Sequence, residues 1–552
     1  MTADDERLRP GVAVTPLRNG LHLRGRRGSV TLEGSTALPG LWRLLEGPLR
    51  AGEAEALLRQ AEPGTPVRAA LDTVFAQLRA HDLLMPAAAA DAPDWLAASA
   101  ADPATTAAAL AAVRAEVTSG ARGGALAGAV IRALARSGVT CTHAPGEDGL
   151  PDEAVLVRAW GPGREHAVAA GTTDDSGYVT APGTPAQAQA DATALTARLR
   201  TTPSPAGGVD SGVRTAGRPL RDVPASFVSL LAGAGAQRLL CAAGGMPDPA
   251  EEGDDPRLPA GVPAVLVATV RPGRAEYRAW AGGARVELRP ARTLDEALRR
   301  VAVLGDERVG VLAAPEPGAL RQLPVPLAAC EVPGGTLLAG APRLDLARLD
   351  AFCRAAELRL GGAGCAVGAD PGHAWGRALR RAVPAPGGVP LPAAAWSGHP
   401  QARHGWTTLT ERLGVTASVE VFPVGADGEV YQAVVCGARA VEATPGDAAA
   451  FALLGAIAAR SAAEQGVTHR YLSTGDGSVA PLAAAGVTLA AWEDTGWTAG
   501  WLAGVARREA ALHTALHRLT RLRTGPAPAP AGLAAHLTAL GFTVLHTEES
   551  SK

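Results

Sequence analysis

The chain has 552 residues, a formal net charge of −2, 47% apolar residues and only 4% aromatic residues. This length suggests several domains, and the apolar fraction is sufficient for sizeable cores built from Leu, Val and Ala. The near-neutral charge argues against a nucleic-acid-binding protein, which usually has a basic face and a high pI. Lys552 is the only lysine. A Walker-type phosphate loop and a pyridoxal Schiff base, which both need an internal lysine, are therefore excluded.

The cysteines and the apolar runs exclude further classes. No two cysteines have the CxxC spacing of a zinc ribbon. Because no signal peptide is recognisable, the scattered cysteines predict reduced side chains in a cytoplasmic protein. No apolar run reaches the roughly 18 residues of a membrane span, so no membrane association is expected. No GxSxG elbow is present, and no catalytic residue is predicted.

Residues 1–85 are predicted to form one unit with three strands followed by three helices. The strands are expected at 12–17, 21–25 and 29–34, with the Asn19-Gly20 pair as a hairpin turn that tolerates positive φ. The helices are expected at 38–46, ended by Gly47-Pro48, then at 53–60, and from Pro66 onwards. This order and size are typical of a winged helix-turn-helix.

The rest of the chain is predicted to be mixed α/β, interrupted by Pro- and Gly-rich linkers. Strands are expected at 264–269 and 309–313, a helix at 294–303, and a hairpin from 416–422 and 430–436. Further domains are predicted at 106–200, 218–355 and 356–522, with a C-terminal segment at 532–552.

The N-terminal unit resembles the RiPP recognition element, the leader-peptide clamp of ribosomally synthesised, post-translationally modified peptides. The resemblance lies in RPGVAVTPLRNGLHLRGRRGSVTLEG, then LPGLWRLLEGPL, then PVRAALDTVFAQLRAHDLL. More specifically, the string is similar to the N-terminus of cyclodehydratase partner proteins in azole-forming and thiopeptide pathways. The resemblance implies that a leader peptide adds as a strand beside 29–33, against the helix at 66–84.

This mode of binding combines main-chain hydrogen bonds from an edge strand with pockets on a neighbouring helix. Arg68 and Arg79 are expected to pair with acidic leader residues. A DNA-binding winged-helix regulator is the alternative interpretation, although the third helix lacks a dense basic face. The predicted leader-binding residues are Ser29, Val30, Thr31, Leu32, Glu33, Arg68, Leu71, Asp72, Phe75 and Arg79.

A glycine-rich turn, Gly120-x-x-Gly123-Gly124, precedes a predicted helix that runs to Gly138. It resembles the glycine loop of E1-like, or ThiF-like, adenylating enzymes. A glycine loop at a helix N-terminus favours phosphate binding. The chain after Val139 lacks the strand-end acidic residues that such an enzyme needs, so we predict a degenerate E1-like domain that binds no cofactor.

Two later segments, 361–383 and 448–461, are similar in sequence pattern to helices of YcaO-type ATP enzymes. In those enzymes glutamates on the corresponding helices hold magnesium and phosphate, whereas here the segments carry arginines and no glutamate. We therefore expect either an ordinary α/β scaffold or an inactive YcaO copy. The segment 295–327 is similar to the linker of azole-forming cyclodehydratase proteins. Glu509, His513 and His517 have helical spacing that could hold zinc. An exposed polar face is the expected alternative, and no metal site is predicted.

Together these features predict a non-catalytic partner of a YcaO-type cyclodehydratase. The chain would hold the leader, and the partner would use ATP and magnesium to close Cys, Ser or Thr residues into rings. The sequence also leaves a homodimer as a possible assembly of this chain. The alternatives are a catalytically active E1-like or cyclodehydratase enzyme and a winged-helix transcriptional regulator.

Overall fold

The structure is a computed structural model, and it divides into two units. Unit 1 comprises Met1–Asp255 and Ala264–Tyr277, and unit 2 comprises Pro256–Pro263 and Arg278–Lys552. The division falls inside the predicted 218–355 domain. The described residues are 6–87, 93–144, 146, 149–161, 164–201, 223–251, 255–282, 286–425, 428–474, 477–485, 498–525 and 531–548.

The N-terminal part of unit 1 contains two small sheets and three helices. The strands β2, β3 and β4 form an antiparallel sheet in that order, and β1 pairs with β5. The three predicted strands and three predicted helices are therefore present. The elements are β1 Glu6–Leu8, β2 Ala13–Leu17, β3 Gly20–Gly25, β4 Gly28–Glu33, α1 Leu38–Ala51, α2 Ala54–Gln60, α3 Pro66–Ala80 and β5 Leu84–Pro86.

Two local predictions in this part were wrong in detail. Helix α1 does not end at Gly47-Pro48 but continues to Ala51, because Leu49 beyond the proline is buried in the core and Gly52 caps the helix at φ 84. Gly20 is not a turn residue with positive φ. It opens β3, where a side chain would collide with the Leu32 carbonyl oxygen.

Helix α3 begins where the sequence predicts. The Thr65 hydroxyl accepts a hydrogen bond from the Arg68 N–H at 3.3 Å, and Pro66 occupies the first turn, where its missing N–H is not needed. Its apolar face joins one core with β3, α1 and the inner side of β4. The buried residues of α3 are Leu71, Val74, Phe75 and Leu78.

The rest of unit 1 is built on a seven-stranded sheet in the order β12-β11-β10-β9-β8-β6-β7. Strands β6 and β7 are parallel and are joined by α6, whereas the pairs from β6 to β11 are antiparallel. The elements are α4 Asp94–Ser99, α5 Pro103–Ala111, β6 Arg114–Ser119, α6 Gly124–Arg136, β7 Thr140–Ala144, β8 Ala154–Gly161, β9 Arg164–Thr172, β10 Ser176–Val179, α7 Pro185–Thr201, α8 Ala225–Gly244, β11 Ala264–Thr269 and β12 Arg274–Ala279.

Helix α8 is the one described helix that is long and apolar enough to cross a membrane by length and composition. It packs against α6 and β9 in the core of unit 1. Its buried Arg238 bonds to the Asp248 carboxylate at 2.8 Å and to the Ala264 carbonyl at 2.8 Å. These contacts are those of a core helix.

Unit 2 contains three three-stranded sheets, in the orders β13-β14-β19, β15-β21-β20 and β16-β17-β18. The predicted C-terminal segment 532–552 supplies β21, which pairs with β15. The elements are α9 Leu294–Leu304, β13 Leu327–Val332, β14 Gly335–Gly340, α10 Leu344–Arg359, β15 Cys365–Gly368, α11 Pro371–Ala382, α12 Pro400–Thr407, β16 Val419–Val424, β17 Val430–Val435, β18 Ala438–Glu442, α13 Pro445–Glu464, β19 Tyr471–Thr474, α14 Ala480–Ala484, α15 Ala499–Thr520, β20 Arg523–Thr524, α16 Leu533–Ala539 and β21 Thr543–Glu548.

The predicted strand at 264–269, the helix at 294–303 and the hairpin at 416–436 are all present as β11, α9 and β16–β17. The predicted strand at 309–313 is wrong. Its apolar residues cap α9 instead, because the N–H groups of Val311 and Leu312 both donate to the Leu304 carbonyl. The predicted mixed α/β class is confirmed.

Candidate functional site

The first candidate site is the free edge of β4. In the sheet order β2-β3-β4 this strand has β3 as its one neighbour among the described residues. The two-residue turn Arg26-Arg27 closes the hairpin at the Gly25–Gly28 pair. The closing pair of such a hairpin is hydrogen-bonded, and bonded pairs then alternate along the ladder. The Gly34 N–H donates to the Asn19 carbonyl at 3.2 Å, which fits the same alternation.

This alternation separates the residues of β4 into two groups. Residues 28, 30 and 32 direct their N–H and C=O groups to β3, so those of Ser29, Thr31 and Glu33 point to the open edge. Val30 and Leu32 pack their side chains against the core, whereas the other three side chains are exposed. Of the five predicted strand residues, Ser29, Thr31 and Glu33 therefore have backbone groups that could pair with a peptide.

The opposite edge of the same sheet differs. The β2–β3 hairpin closes at the Leu17–Gly20 pair, so the outward backbone positions of β2 are Val14 and Pro16. Proline has no N–H, and proline on an edge strand blocks pairing with a further strand. The sheet thus has one blocked edge and one open edge.

The predicted binding residues on α3 fall into two sets. Arg68 is bonded to Asp72 at 3.0 Å and to the Leu58 carbonyl at 2.7 Å. Arg79 is bonded to Glu6 at 2.8 Å, and the Glu6 hydrogen bond raises the pKa of Arg79. Any acidic peptide residue would therefore compete with partners that are already in place.

Leu71 and Phe75 are 5% and 1% exposed and belong to the core. Their placement in the core departs from their prediction as residues that contact the leader. The physical reason is the helical period, which puts them on the same face as Val74 and Leu78.

The glycine turn before α6 is packed against the chain itself. The N–H groups of Gly120 and Arg122 donate to the carbonyls of Ala154 and Asp152 at 2.9 and 2.8 Å, and the Gly123 N–H donates to Gly120 at 3.0 Å. A side chain at Gly123 would lie 2.5 Å from the Ala154 carbonyl oxygen. These glycines are explained by the close approach of residues 151–154, and three N–H groups of the turn already have acceptors.

The end of β7 is the other half of that predicted nucleotide site. Strand β7 ends at Ala144, and its His143 Nε2 lies 3.3 Å from the Ser119 hydroxyl. The later Glu147 and Asp148 lie outside the described residues. Gly124 begins α6, and nothing within 4 Å would meet a side chain there.

The second candidate site lies in unit 2, where the predicted arginine-bearing helix α11 faces buried carboxylates. Arg377 is bonded to Asp350 and to Glu357, and Arg381 is bonded to Glu357 at 2.8 Å. Glu357 also accepts from Arg354 at 3.2 Å. Burial raises the pKa of Glu357, but Arg377 and Arg381 outweigh burial and lower that pKa. One carboxylate thus serves three guanidinium groups.

Arg380 points to the other side of α11 and contacts two further carboxylates. It bonds to Glu442 at 3.1 Å and to Glu509 at 2.7 Å. Glu509 also bonds His513 Nε2 at 2.9 Å. Burial acts to raise the pKa of Glu509, but Arg380 and His513 outweigh it and lower the pKa to about 2.

These contacts occupy two of the residues whose spacing could hold zinc, Glu509 and His513. Glu509 neutralises Arg380, and the ring of His517 lies 5.6 Å from that of Trp375. Within the described ranges no group of three or more His, Cys, Asp or Glu side chains is arranged to hold a metal ion. Helix α13 does carry one buried acid beyond the predicted segment, Asp447, which bonds to Arg508 at 2.6 Å.

A cavity of about 260 Å³ opens beside this cluster. Its charged lining residues are Asp350, Arg354, Glu357, Arg377, Arg380, Arg381 and Arg439. Sequence reasoning identified the arginines of α11 but missed Asp350, Arg354, Glu357 and Arg439. The signal for the carboxylates is the spacing of Asp350, Arg354 and Glu357 on one face of α10, which the sequence shows. Arg439 comes from a different strand, and no local pattern indicates it.

No protein-family model matches the chain, and no curated protein matches it by sequence. A solved structure described as a heterocyclase in complex with substrate and cofactor is similar, with a TM-score of 0.53 and 10% sequence identity. That match covers 98% of this chain and 94% of the other. The heterocyclase TruD matches with a TM-score of 0.46 and 12% identity over 99% and 94% of the two chains. The first match extends over nearly all of both chains, and this protein therefore shares the fold of a heterocyclase.

Proposed function

We propose that this chain binds the leader of a ribosomal precursor peptide and presents the attached core to a separate YcaO-type heterocyclase. The observation that carries the proposal is the open edge of β4, where Ser29, Thr31 and Glu33 direct backbone groups outward that pair with no other strand in the described part of the chain. A peptide in extended conformation can add to such an edge and gain main-chain hydrogen bonds. In this proposal the N-terminal part is a winged-helix clamp that functions as a RiPP recognition element.

The difference between the outer edges of β2 and β4 supports β4 as the edge that binds the leader. Pro16 removes a donor from the outer side of β2, whereas the outer positions of β4 contain no proline. A leader added to β4 would continue the sheet over the core that contains Val30 and Leu32. We expect one leader for each chain.

The proposal also assigns no bond-forming step to this chain. The turn at Gly120 and Gly123 donates its N–H groups to carbonyls of residues 152–154 and of the turn itself, which leaves little for a nucleotide phosphate. Helix α11 has arginines where magnesium would need carboxylates. We therefore regard the β6–α6–β7 region as a degenerate E1-like domain and assign ATP and magnesium to the partner.

Binding of the leader is tested by titrating the full chain with a labelled leader. The proposal requires a short Cys- and Ser-rich precursor peptide encoded beside a YcaO gene, and the N-terminal part of that peptide serves as the leader. The variant Thr31→Pro removes an outward N–H and should weaken binding about tenfold or more. Thr31→Ala is the matched control, because it loses the side-chain bond to His22 but keeps the N–H. Equal affinities for the two variants, both folded by circular dichroism, would remove β4 as the binding edge.

The presenting role is tested by reconstitution with the purified heterocyclase partner. A bound leader holds its core near the partner at roughly millimolar effective concentration. The chain should therefore accelerate ring formation at micromolar precursor and lose this effect when the leader is removed. Acceleration of a leaderless core to the same extent would contradict the presenting role.

A catalytic heterocyclase is the second candidate, because the fold similarity spans 98% of this chain and is not restricted to a peptide-binding part. This candidate predicts precursor-dependent ATP turnover by the chain alone. The partner role predicts no turnover without the second protein. Turnover that is abolished when Gly123 is replaced by a bulky residue, with folding retained, would favour the enzyme.

A further inference from the structure

A cluster of arginines lies at the end of β4 where that strand begins. The turn that joins β3 to β4 consists of Arg26 and Arg27, and both side chains form ion pairs with the carboxylate of Asp82. Arg9 bonds to the same carboxylate at 3.0 Å. One carboxylate therefore serves three guanidinium groups.

Two members of this cluster are fixed by the fold. Asp82 follows the C-terminal end of α3 with a φ of 56, a left-handed conformation that is uncommon outside glycine. The Arg9 side chain is 4% exposed. Besides its bond to Asp82, it donates to the carbonyls of Ala97, Ala100 and Ala101 at 3.0, 2.8 and 3.0 Å. The arginines of the turn are thus the part of the cluster that a ligand can reach.

The positive charge of the turn is only partly compensated. Arg9, Arg26 and Arg27 face one carboxylate, which leaves an excess of two positive charges in this group of four side chains. The Nε atom of Arg26 is buried without a hydrogen-bond partner among the described residues. Arg27 is 63% exposed, and its Nε lies 3.5 Å from the Asp82 carboxylate, which is too long for a good hydrogen bond. Arg27 can therefore turn to a second carboxylate at little cost.

The other charged groups near the edge of β4 differ from this turn. Arg68 and Arg79 on α3 have hydrogen-bonded partners in Asp72 and Glu6. Glu33 is the only charged side chain of β4, and it is exposed at the far end of the strand. An acidic residue of a peptide on β4 is therefore attracted at the end next to the turn and repelled at the end next to Glu33.

We infer that the Arg26-Arg27 turn binds an acidic residue of the leader and thereby fixes the direction of the leader on β4. The inference rests on the proposed binding of the leader at this strand. Both strand pairs of the sheet are antiparallel, and a leader that continues this pattern runs from the Glu33 end to the Gly28 end.

This direction specifies the class of leader. The residues that pass the turn are the first ones after the paired segment, on the side of the core peptide. We expect Asp or Glu there, because a guanidinium group matches a carboxylate with paired, charge-assisted hydrogen bonds. A leader with its acidic residues only on the N-terminal side of the paired segment should bind more weakly.

The test is a charge-swap titration of the full chain at low salt, followed by fluorescence anisotropy. The probes are the labelled N-terminal part of the Cys- and Ser-rich precursor and variants in which each Asp or Glu is replaced in turn by Arg. Arg27→Gln should weaken the unaltered leader about threefold, as expected for an exposed ion pair, and less at high salt. Arg27→Glu should weaken it about tenfold, because attraction becomes repulsion. One Arg-bearing leader, changed just after the paired segment, should recover most of that loss.

Arg18→Gln is the matched control, since Arg18 is an exposed arginine in the other turn of the same sheet. Arg27→Glu should fold, because Arg27 is exposed and Asp82 keeps Arg9 and Arg26. If it does not fold, Arg27→Gln decides through its affinity for the unaltered leader.

The outcomes separate this inference from the proposed function. Unaltered leader affinity in Arg27→Gln, equal weakening by Arg18→Gln, or recovery by no Arg-bearing leader would overturn the inference while leader binding itself stands. Recovery by a change on the N-terminal side of the paired segment would show that the direction is wrong. No binding of any leader to the unaltered chain would instead remove the proposed function, and this inference with it.

Discussion

Two stretches of backbone in unit 1 offer N–H groups and use them in opposite ways. The outer positions of β4 direct the groups of Ser29, Thr31 and Glu33 away from the protein, whereas the turn at Gly120 and Gly123 directs its groups into the chain. The glycine turn has the more familiar sequence pattern, yet β4 has the backbone that can accept a partner. What decides between them is where each N–H group goes, because buried donors are almost always already paired.

The largest expected effect is a loss of stability at the turn that contains Gly120. Gly120→Ala would place a methyl group 2.7 Å from the Asp152 carbonyl oxygen, so the backbone must move. We expect the free energy of unfolding to fall by about 1–3 kcal/mol, with a lower Tm and unchanged leader affinity of the folded chain. Gly124→Ala, where nothing within 4 Å would meet the methyl group, is the control. An unchanged Tm for Gly120→Ala would mean that the turn is open enough to receive a ligand.

The next effect tests the alternation along β4. Val30 directs its N–H to β3 and packs on the core, so Val30→Pro should lower the free energy of unfolding by about 1–3 kcal/mol. Thr31→Pro should change it by only about 0.5 kcal/mol, because its N–H faces outward. Chemical denaturation of both variants measures the difference. Equal destabilisation would show that the assignment of inward and outward residues is wrong.

A smaller effect is expected at the blocked edge. Pro16→Thr restores an N–H on the outer side of β2 and makes this edge similar to that of β4. Leader affinity should change by less than about twofold, since a single additional donor contributes little binding energy. Calorimetry also gives the stoichiometry. A second bound leader would show that an open edge alone is sufficient for binding.

An effect of similarly small size is expected from the charge on α3. Arg79→Gln breaks the bond to Glu6 in a largely exposed pair, so the free energy of unfolding should fall by at most about 1 kcal/mol. Leader affinity should fall about threefold or less, and less still at high salt. Measurement at low and high salt separates the two contributions. A large loss that persists in high salt would mean that Arg79 contacts the leader directly.

The sequence was sufficient to predict most strands and helices of the N-terminal part, but not the tertiary contacts that its residues make. Pro66 is a local signal, and α3 begins where it predicts, whereas Gly47-Pro48 did not end α1. The burial of Leu71 and Phe75 follows from their helical period, and only their assignment to the leader departed from it. The N–H partners of Gly120 could not be predicted, because residues 151–154 are about 30 positions away in the chain.

The same limit applies to unit 2. The arginines of α11 were visible as a pattern, but their partners come from α10, β18 and α15, which no local period connects. The apolar run at 309–313 also shows the limit, since its composition is that of a strand while its N–H groups cap α9. Tertiary contacts decided both cases.

The open edge of β4 also has a consequence for how the chain behaves in concentrated solution without peptide. Two copies can pair their β4 strands antiparallel about Thr31, which places Glu33 of one copy opposite Ser29 of the other and sets no like charges against each other. An exposed edge of this kind promotes self-association. We expect concentration-dependent dimers that dissociate when leader is added. A bound leader would then also keep the protein monomeric, because it covers the edge of β4.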